Sequence, residues 1–412
     1  MRVAITAIGS RGDVAPYTGL GVRLQQAGHE VTIATHAVFE PLVRGHGLRF
    51  HLLPMDAQEQ LRTRFADRGL VRMTMAVHEV VAEHARPLAT AMLAAAREAD
   101  VLLVTPTSWF GVVIAEGLGI PSLGVYLQPL TPTREFPPPA LTRRDLGGWA
   151  NHRLASLLLT AGQRPFRSVV GELRRELGLP GTTPSAWLRA QEAKHWPILY
   201  GYSPLVVPTP KDWPAWYRPV GYWWPAPEPG FAPAPELERF LAAGPPPVYV
   251  GFGSMPVPDR DRLSSAVAAA VRRAGVRAIV SAGWSGLTVE ADDVLAVGEV
   301  PHEWLFPRVA AVVHHAGAGT TAAGLRAGVP HVPVPVMVDQ PFWAQRLRLL
   351  GVTPGPIPVR RLTAGRLADA LTAAVTDPRY RRRARALAAR LSEEDGAGAV
   401  LRELGRLTSA TA

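Results

Sequence analysis

Two short segments of this chain carry residues whose types and spacing suit chemistry. The first is His314-His315-Ala316-Gly317-Ala318-Gly319-Thr320-Thr321, which directly follows an apolar strand-like run and opens a helix-like stretch to Arg326 that stops at Gly328. Glycines let a backbone approach a ligand closely. A helix N-terminus offers unpaired N–H groups and a partial positive charge, which suits a phosphate or diphosphate. Thr320 and Thr321 add hydroxyl donors, and His315 adds a hydrogen bond or a charge. The alternative is a tight strand-to-helix turn with a capping threonine. The second segment is Gly9-Ser10-Arg11-Gly12-Asp13, at the end of the first strand. An attacking hydroxyl needs a base within hydrogen-bond reach, and Asp13 is placed to be one. The alternative is that Asp13 caps a helix beginning near Pro16. An aspartate of ordinary pKa is a weak base, so this role requires desolvation or late proton transfer.

The elements that must position these segments follow a β–α rhythm. Arg2–Ile8, Glu30–Thr35, Asp100–Thr105 and Ser122–Tyr126 have strand character, with helical stretches at Pro16–Gln26, Val38–Gly45 and Trp109–Leu118 between them. The rhythm lapses over 131–224, which holds a proline-rich loop (Phe136 to Pro139) and an aromatic cluster at 196–224, where packing is favoured over a ligand-stacking platform. It resumes with strands at Val248–Gly253, Arg277–Ala282, Val294–Val297, Ala310–His314 and His331–Pro335, and a helix at Arg260–Arg273. Helices at Ala364–Thr376, Arg379–Ser392 and Gly396–Leu407 close the chain. The expected class is α/β, with two Rossmann-like domains facing across a cleft and joined by a Pro-rich segment. The expected limits are 1–226 for the first domain, 227–244 for the linker and 245–392 for the second domain, with a helix over about 393–412 packing back on the first. Ligands of such sheets bind at the carboxyl ends of the strands.

The glycine turn belongs to a longer pattern. Val300-Pro301-His302 precedes it, and Gly328-Val329-Pro330 and Asp339-Gln340 follow. Over Val297–Arg346 this order and spacing resembles the donor signature of family 1 glycosyltransferases, which have the GT-B fold. Ile8 to Val14 and Gly251 to Met255 are similar, more narrowly, to sterol glucosyltransferases and bacterial antibiotic and macrolide glycosyltransferases. The resemblance implies a nucleotide-diphosphate sugar as co-substrate and an apolar small-molecule acceptor, a macrolide, polyketide, glycopeptide or sterol-like alcohol. It implies that His315, Gly317, Ala318, Gly319 and Thr320 hold the diphosphate, with Ser254 from the first loop of the second domain. Ser10 and Arg11 are further candidates to face the phosphates, a plain surface role being the alternative for Arg11. Val300, His302 and Trp284 would serve the base and ribose, and Asp339 and Gln340 the donor sugar. Ala323 stands where plant members carry a ribose-binding glutamate, which leaves uridine against deoxythymidine open. By position in such a fold, Trp109, Gln128 and Phe136 are candidates for the acceptor pocket. The implied reaction is direct displacement at the anomeric carbon with inversion, Asp13 as base, and no metal or other cofactor.

The bulk properties narrow the rivals. The chain has 412 residues and no cysteine, which excludes disulfides, thiolate metal sites and a cysteine nucleophile and fits a cytoplasmic setting. Its first strand begins at once, so no signal peptide is expected. The apolar stretch Val101–Leu130 is interrupted by Gly, Pro, Ser and Thr and is expected to be buried strand–helix–strand, not a membrane span. The net charge of +10 is almost all arginine, and the only lysines are Lys194 and Lys211. Apart from Arg379–Arg390 the basic residues are scattered, without a nucleic-acid motif. Asp259-Arg260-Asp261 is expected at a helix start, where acidic residues favour the dipole, and not as a metal pair. His36, His78, His84, His152 and His195 lack metal-ligand spacing and are expected to be structural or surface residues. A nicotinamide oxidoreductase would need Gly-x-Gly-x-x-Gly after the first strand, which is absent. A non-catalytic helper of the same fold would be expected to lack Asp13, His315, Asp339 or Gln340, and all four are present.

Overall fold

The structure is a computed structural model and describes residues 1–55, 83–139, 141, 144–253, 259–282, 287, 289 and 291–409. The chain divides into two compact units. Unit 1 comprises Met1–Pro229 with Glu394–Ala412, and unit 2 is Gly230–Glu393.

Unit 1 is built on a seven-stranded, all-parallel sheet in the order β3-β2-β1-β4-β5-β6-β7. The strands are β1 (Arg2–Thr6), β2 (Glu30–Thr35), β3 (Arg49–Leu52), β4 (Val101–Val104), β5 (Ser122–Tyr126), β6 (Ile198–Tyr200) and β7 (Tyr217–Pro219). Alternation of side chains sends Ala4, Leu102 and Val104 into one buried layer and Val3, Ile5, Val101 and Leu103 into the other. A strand covered on both faces is apolar at every position, which explains the unbroken run in β4. β1 pairs with both β2 and β4 in parallel register, so the sheet is wound outward in both directions from it. The terminal helix Gly396–Ser409 packs into this unit. Trp223 donates its indole N–H to the Gly396 carbonyl (3.2 Å), and Arg218 bonds the buried Glu403 (2.6 Å).

Unit 2 carries a five-stranded parallel sheet in the order β10-β9-β8-β11-β12. The strands are β8 (Val248–Gly251), β9 (Ala278–Ser281), β10 (Val294–Val297), β11 (Ala311–His314) and β12 (His331–Pro333). The same alternation recurs. Val248, Val250, Ala278 and Val313 face one core and Tyr249, Ile279 and Val312 the other. β8 is flanked by β9 and β11, which puts the reversal of winding between β8 and β11.

Two local expectations differ from what is found. The first helix begins at Arg11, not near Pro16, and runs to Gln26. Ser10 is its N-cap, and Asp13 at the third helical position bonds back to Ser10, which starts the helix early. Pro16 lies inside and leaves the Gly12 carbonyl without its helical N–H partner. The stretch expected to be a linker holds a helix, Pro235–Ala242, whose Leu237 packs with Tyr249 and Ile279. Prolines at its start are compatible with a helix because the first turn needs no N–H partner.

Candidate functional site

In unit 1 the reversal between β1 and β4 brings three loops to the carboxyl end of the sheet. The loop after β1 is held from both sides. His36, buried just past β2, accepts the Gly9 N–H at Nε2 (3.2 Å), and Thr107, just past β4, donates its hydroxyl to the Ile8 carbonyl (2.8 Å). Gly9 has φ +147°, and a Cβ there would fall 2.5 Å from Asp13 Oδ2. Only glycine leaves room for that carboxylate.

Asp13 is half-buried. Its Oδ2 accepts the Ser10 backbone N–H and the Ser10 hydroxyl, each at 2.9 Å, and Gln128 beyond β5 supplies a further hydrogen bond. Burial raises its pKa above the ordinary carboxylate value, and the Ser10 and Gln128 bonds pull it part of the way back. The result is a stronger base than a surface aspartate. Asp13 therefore takes part in capping, but from inside the helix and not as the N-cap residue ahead of Pro16.

The other candidates of unit 1 have partners of their own. The Ser10 hydroxyl donates to Asp13, and Arg11 is ion-paired with Glu228 at the surface of the unit. The Gln128 side chain is hydrogen-bonded to Asp13. Trp109 is half-buried and packs into an aromatic cluster with Phe110, Phe166 and Trp187, at ring separations of 5.3–6.3 Å. Phe136 is half-buried on a loop pinned by Asp212, which accepts from the Thr133 hydroxyl (2.6 Å) and the Arg134 N–H (2.7 Å). The 196–224 aromatics pack among themselves, Trp213 stacking on Tyr200 at 4.6 Å.

In unit 2 the reversal between β8 and β11 brings Gly253 and His315 together. A Cβ at Gly253 (φ +59°) would lie 2.8 Å from His315 Cε1, and one at Gly317 would lie 2.4 Å from His315 Nε2. These glycines thus make room for the imidazole. A Cβ at Gly319, by contrast, would meet nothing within 4 Å among the described residues. Helix Ala318–Arg326 starts at Gly317 without a side-chain cap from the described residues, and its first internal hydrogen bond is Thr321 N–H to the Gly317 carbonyl (2.9 Å). The N–H groups of Ala318, Gly319 and Thr320 precede that bond and are the ones a helix leaves for an anion. Thr320 is half-buried beside them, whereas Thr321 is fully buried. Burial pushes the His315 imidazole down to about 4. At neutral pH it is a neutral hydrogen-bonding group, not the cation that sequence alone left open.

Asp339 and Gln340 are tied into their own turn. Gln340 is buried, and its Oε1 accepts the Val336 and Met337 N–H groups (2.8 and 3.0 Å), so its amide NH₂ is the end left to meet a ligand. Asp339 Oδ2 accepts the Trp343 indole N–H (2.8 Å) at the start of helix Gln340–Leu350. Val338 has φ +52° and Ala316 φ +64°. Left-handed backbone at non-glycine residues costs roughly 1–3 kcal/mol and clusters at functional turns. Both strained residues adjoin the predicted ligand-contacting residues. His302 stacks on Phe306 (4.3 Å) with Tyr249 against its edge, and Val300 is half-buried in the same cluster. Asp259 caps helix Arg260–Ala274 by accepting the Arg262 N–H (3.0 Å), and Asp261 is exposed in its first turn. Ser254, Trp284 and His78 lie outside the described residues. His36 was not singled out as functional. Its contact with Gly9 joins residues 27 apart, which no local pattern announces.

Two α/β units with parallel sheets, each with a candidate site at its winding reversal, define the GT-B architecture. Solved glycosyltransferases share it. The VinC glycosyltransferase in complex with dTDP aligns with a TM-score of 0.68 at 21% identity over 100% of both chains, and SnogD from Streptomyces nogalater with 0.68 at 21% over 98% and 99%. Residues 3–137 match the glycosyltransferase family 28 N-terminal domain, and residues 257–404 the erythromycin biosynthesis protein CIII-like C-terminal domain. The chain is 37% identical to O-mycaminosyltylonolide 6-deoxyallosyltransferase of Streptomyces fradiae, over 96% of this chain and 95% of the relative. It is 35% identical to a sterol 3-beta-glucosyltransferase of Arabidopsis thaliana over 100% of this chain and 66% of the relative. It spans only 30% of the sterol 3-beta-glucosyltransferase of Aspergillus clavatus. The chain belongs to this glycosyltransferase family, which takes in sterol and macrolide glycosyltransferases.

Proposed function

We propose that this chain transfers a sugar from a UDP- or dTDP-sugar to a hydroxyl of an apolar natural product, macrolide, polyketide or sterol-like, with inversion and without a metal. The observation that carries this is the Asp13 carboxylate, raised in basicity by burial and held by Ser10, Gln128 and Gly9 at the sheet reversal of unit 1. The uncapped helix start at Gly317–Thr320 supports the donor half. In the reaction, the acceptor O–H gives its proton to Asp13 as its oxygen bonds the anomeric carbon. The bond from that carbon to the diphosphate oxygen breaks, and its electron pair leaves with the diphosphate. Backbone N–H groups of Ala318, Gly319 and Thr320 and a neutral His315 donor would stabilise that charge. The Gln340 amide and Asp339 would bond the sugar hydroxyls. The names of the Streptomyces and Arabidopsis relatives support a macrolide or a sterol as acceptor.

A thermal-shift panel of UDP, dTDP, GDP and NADH tests the donor. Stabilisation by one pyrimidine diphosphate is expected and assigns the base. Stabilisation by NADH alone would refute the proposal.

A further inference from the structure

Beneath the candidate diphosphate turn lies a pair of buried histidines that the proposed reaction does not use. His314 ends β11 and His331 opens β12, and both are fully buried. Their rings meet with His314 Nε2 2.9 Å from His331 Nδ1. The Ala316 N–H donates to His314 Nδ1 (3.1 Å). Because Nδ1 accepts there, the His314 proton is on Nε2, and Nε2–H donates to His331 Nδ1. That leaves the His331 proton on Nε2, a buried atom with no hydrogen-bond partner among the described residues. Burial holds both imidazoles neutral, His331 down at about 3 and His314 well below its usual value. The direction of the chain is therefore fixed.

This chain of bonds ends on a strained residue. Ala316 has φ +64°, stands between His315 and Gly317, and presents its N–H inward to His314. The other end touches the helix itself. A Cβ at Gly324 would fall 2.4 Å from His331 Cε1, so helix Ala318–Arg326 rests on that ring through a glycine. The pair thus contacts both the turn before the helix start and the helix body seven residues after Gly317. It fills the space between β11, β12 and the helix with two rigid rings of defined polarity. An apolar pair of similar size would fill the space but give the Ala316 N–H no acceptor.

We infer that His314 and His331 are positioning residues for the donor diphosphate. They hold Ala316 in its left-handed conformation and so aim the N–H groups of Ala318, Gly319 and Thr320. This rests on the proposed donor site.

The test compares His331→Leu, which takes the acceptor from His314, with His331→Asn, which returns an acceptor oxygen near the Nδ1 position. Affinities are measured for UDP or dTDP, whichever the unaltered protein binds, and for the corresponding nucleoside without phosphates. His331→Leu is expected to weaken the diphosphate about tenfold or more and leave the nucleoside within about twofold. His331→Asn is expected to recover most of the loss. Gly324→Ala, which presses on the same ring from the helix side, should give the same pattern if His331→Leu does not fold. Unchanged diphosphate affinity, an equal loss for diphosphate and nucleoside, or failure of His331→Asn to rescue would each overturn the inference. If the unaltered protein binds no nucleoside diphosphate, the donor site itself is refuted, and the inference with it.

Discussion

Replacing Ser10 with alanine removes one of the bonds that hold down the basicity of Asp13. The Ser10 hydroxyl is 2.9 Å from Asp13 Oδ2, and the Ser10 backbone N–H, also at 2.9 Å, survives the substitution. A hydrogen bond to a charged group contributes about 1.5–3 kcal/mol when buried. Asp13 is half-buried, so solvent screening reduces that to about 1 kcal/mol. The Asp13 pKa should therefore rise. The sign follows from the charged form losing a donor, which favours the protonated acid. The acid limb of kcat/KM should therefore move to higher pH, with a fall of about fivefold well below the midpoint, the equivalent of about 1 kcal/mol. The plateau at higher pH should stay within about threefold, because the remaining carboxylate is the stronger base. Ser10→Thr keeps a hydroxyl and should restore the original limb. The assay is sugar transfer to a macrolide or sterol acceptor over a pH series, with melting temperature as a control for the lost cap. An unmoved limb, or one moved to lower pH, would refute the role assigned to Ser10. A weaker donor affinity with an unmoved limb would return Ser10 to the phosphate-facing role expected from sequence.

Other substitutions separate packing from ligand contact. Gly317→Ala puts a methyl 2.4 Å from His315 Nε2 and should weaken nucleoside diphosphate binding about tenfold or more, whereas Gly319→Ala meets no atom of the described residues, so its thermal stability should be unchanged and any loss should appear only in donor affinity measured by calorimetry. Gln340→Leu strands the Val336 and Met337 N–H groups and should cost about 3 kcal/mol in urea denaturation. Chelation by EDTA should leave turnover unchanged, since Asp259 is occupied as a helix cap; a loss restored by a divalent cation would contradict the metal-free reaction.

The sheets were legible in the sequence because a doubly covered parallel strand writes its burial as a continuous apolar run, as in Val101 to Val104. The turn at His315–Thr320 was legible in its residue types, but not the reason for each glycine. Gly317 and Gly253 yield space to His315, and Gly319 faces none of the described residues. The early helix start was missed because Pro16 is a strong local signal, overridden by the bond from Ser10 to Asp13. The support of Gly9 by His36, and of Ala316 by His314 and His331, depends on contacts between strands distant in the chain. Single residues of ordinary type gave no sign of them. The strain at Val338 was equally silent, because nothing in a valine announces φ +52°.

The central claim is that Asp13 removes the acceptor proton, and Asp13→Asn tests it most directly. The amide keeps the size of the side chain and can still accept from the Ser10 N–H, but it cannot take a proton. Turnover is expected to fall by about 10²–10⁴ while the dissociation constant for UDP or dTDP stays within about twofold. Turnover within about threefold of the unaltered protein would contradict the account.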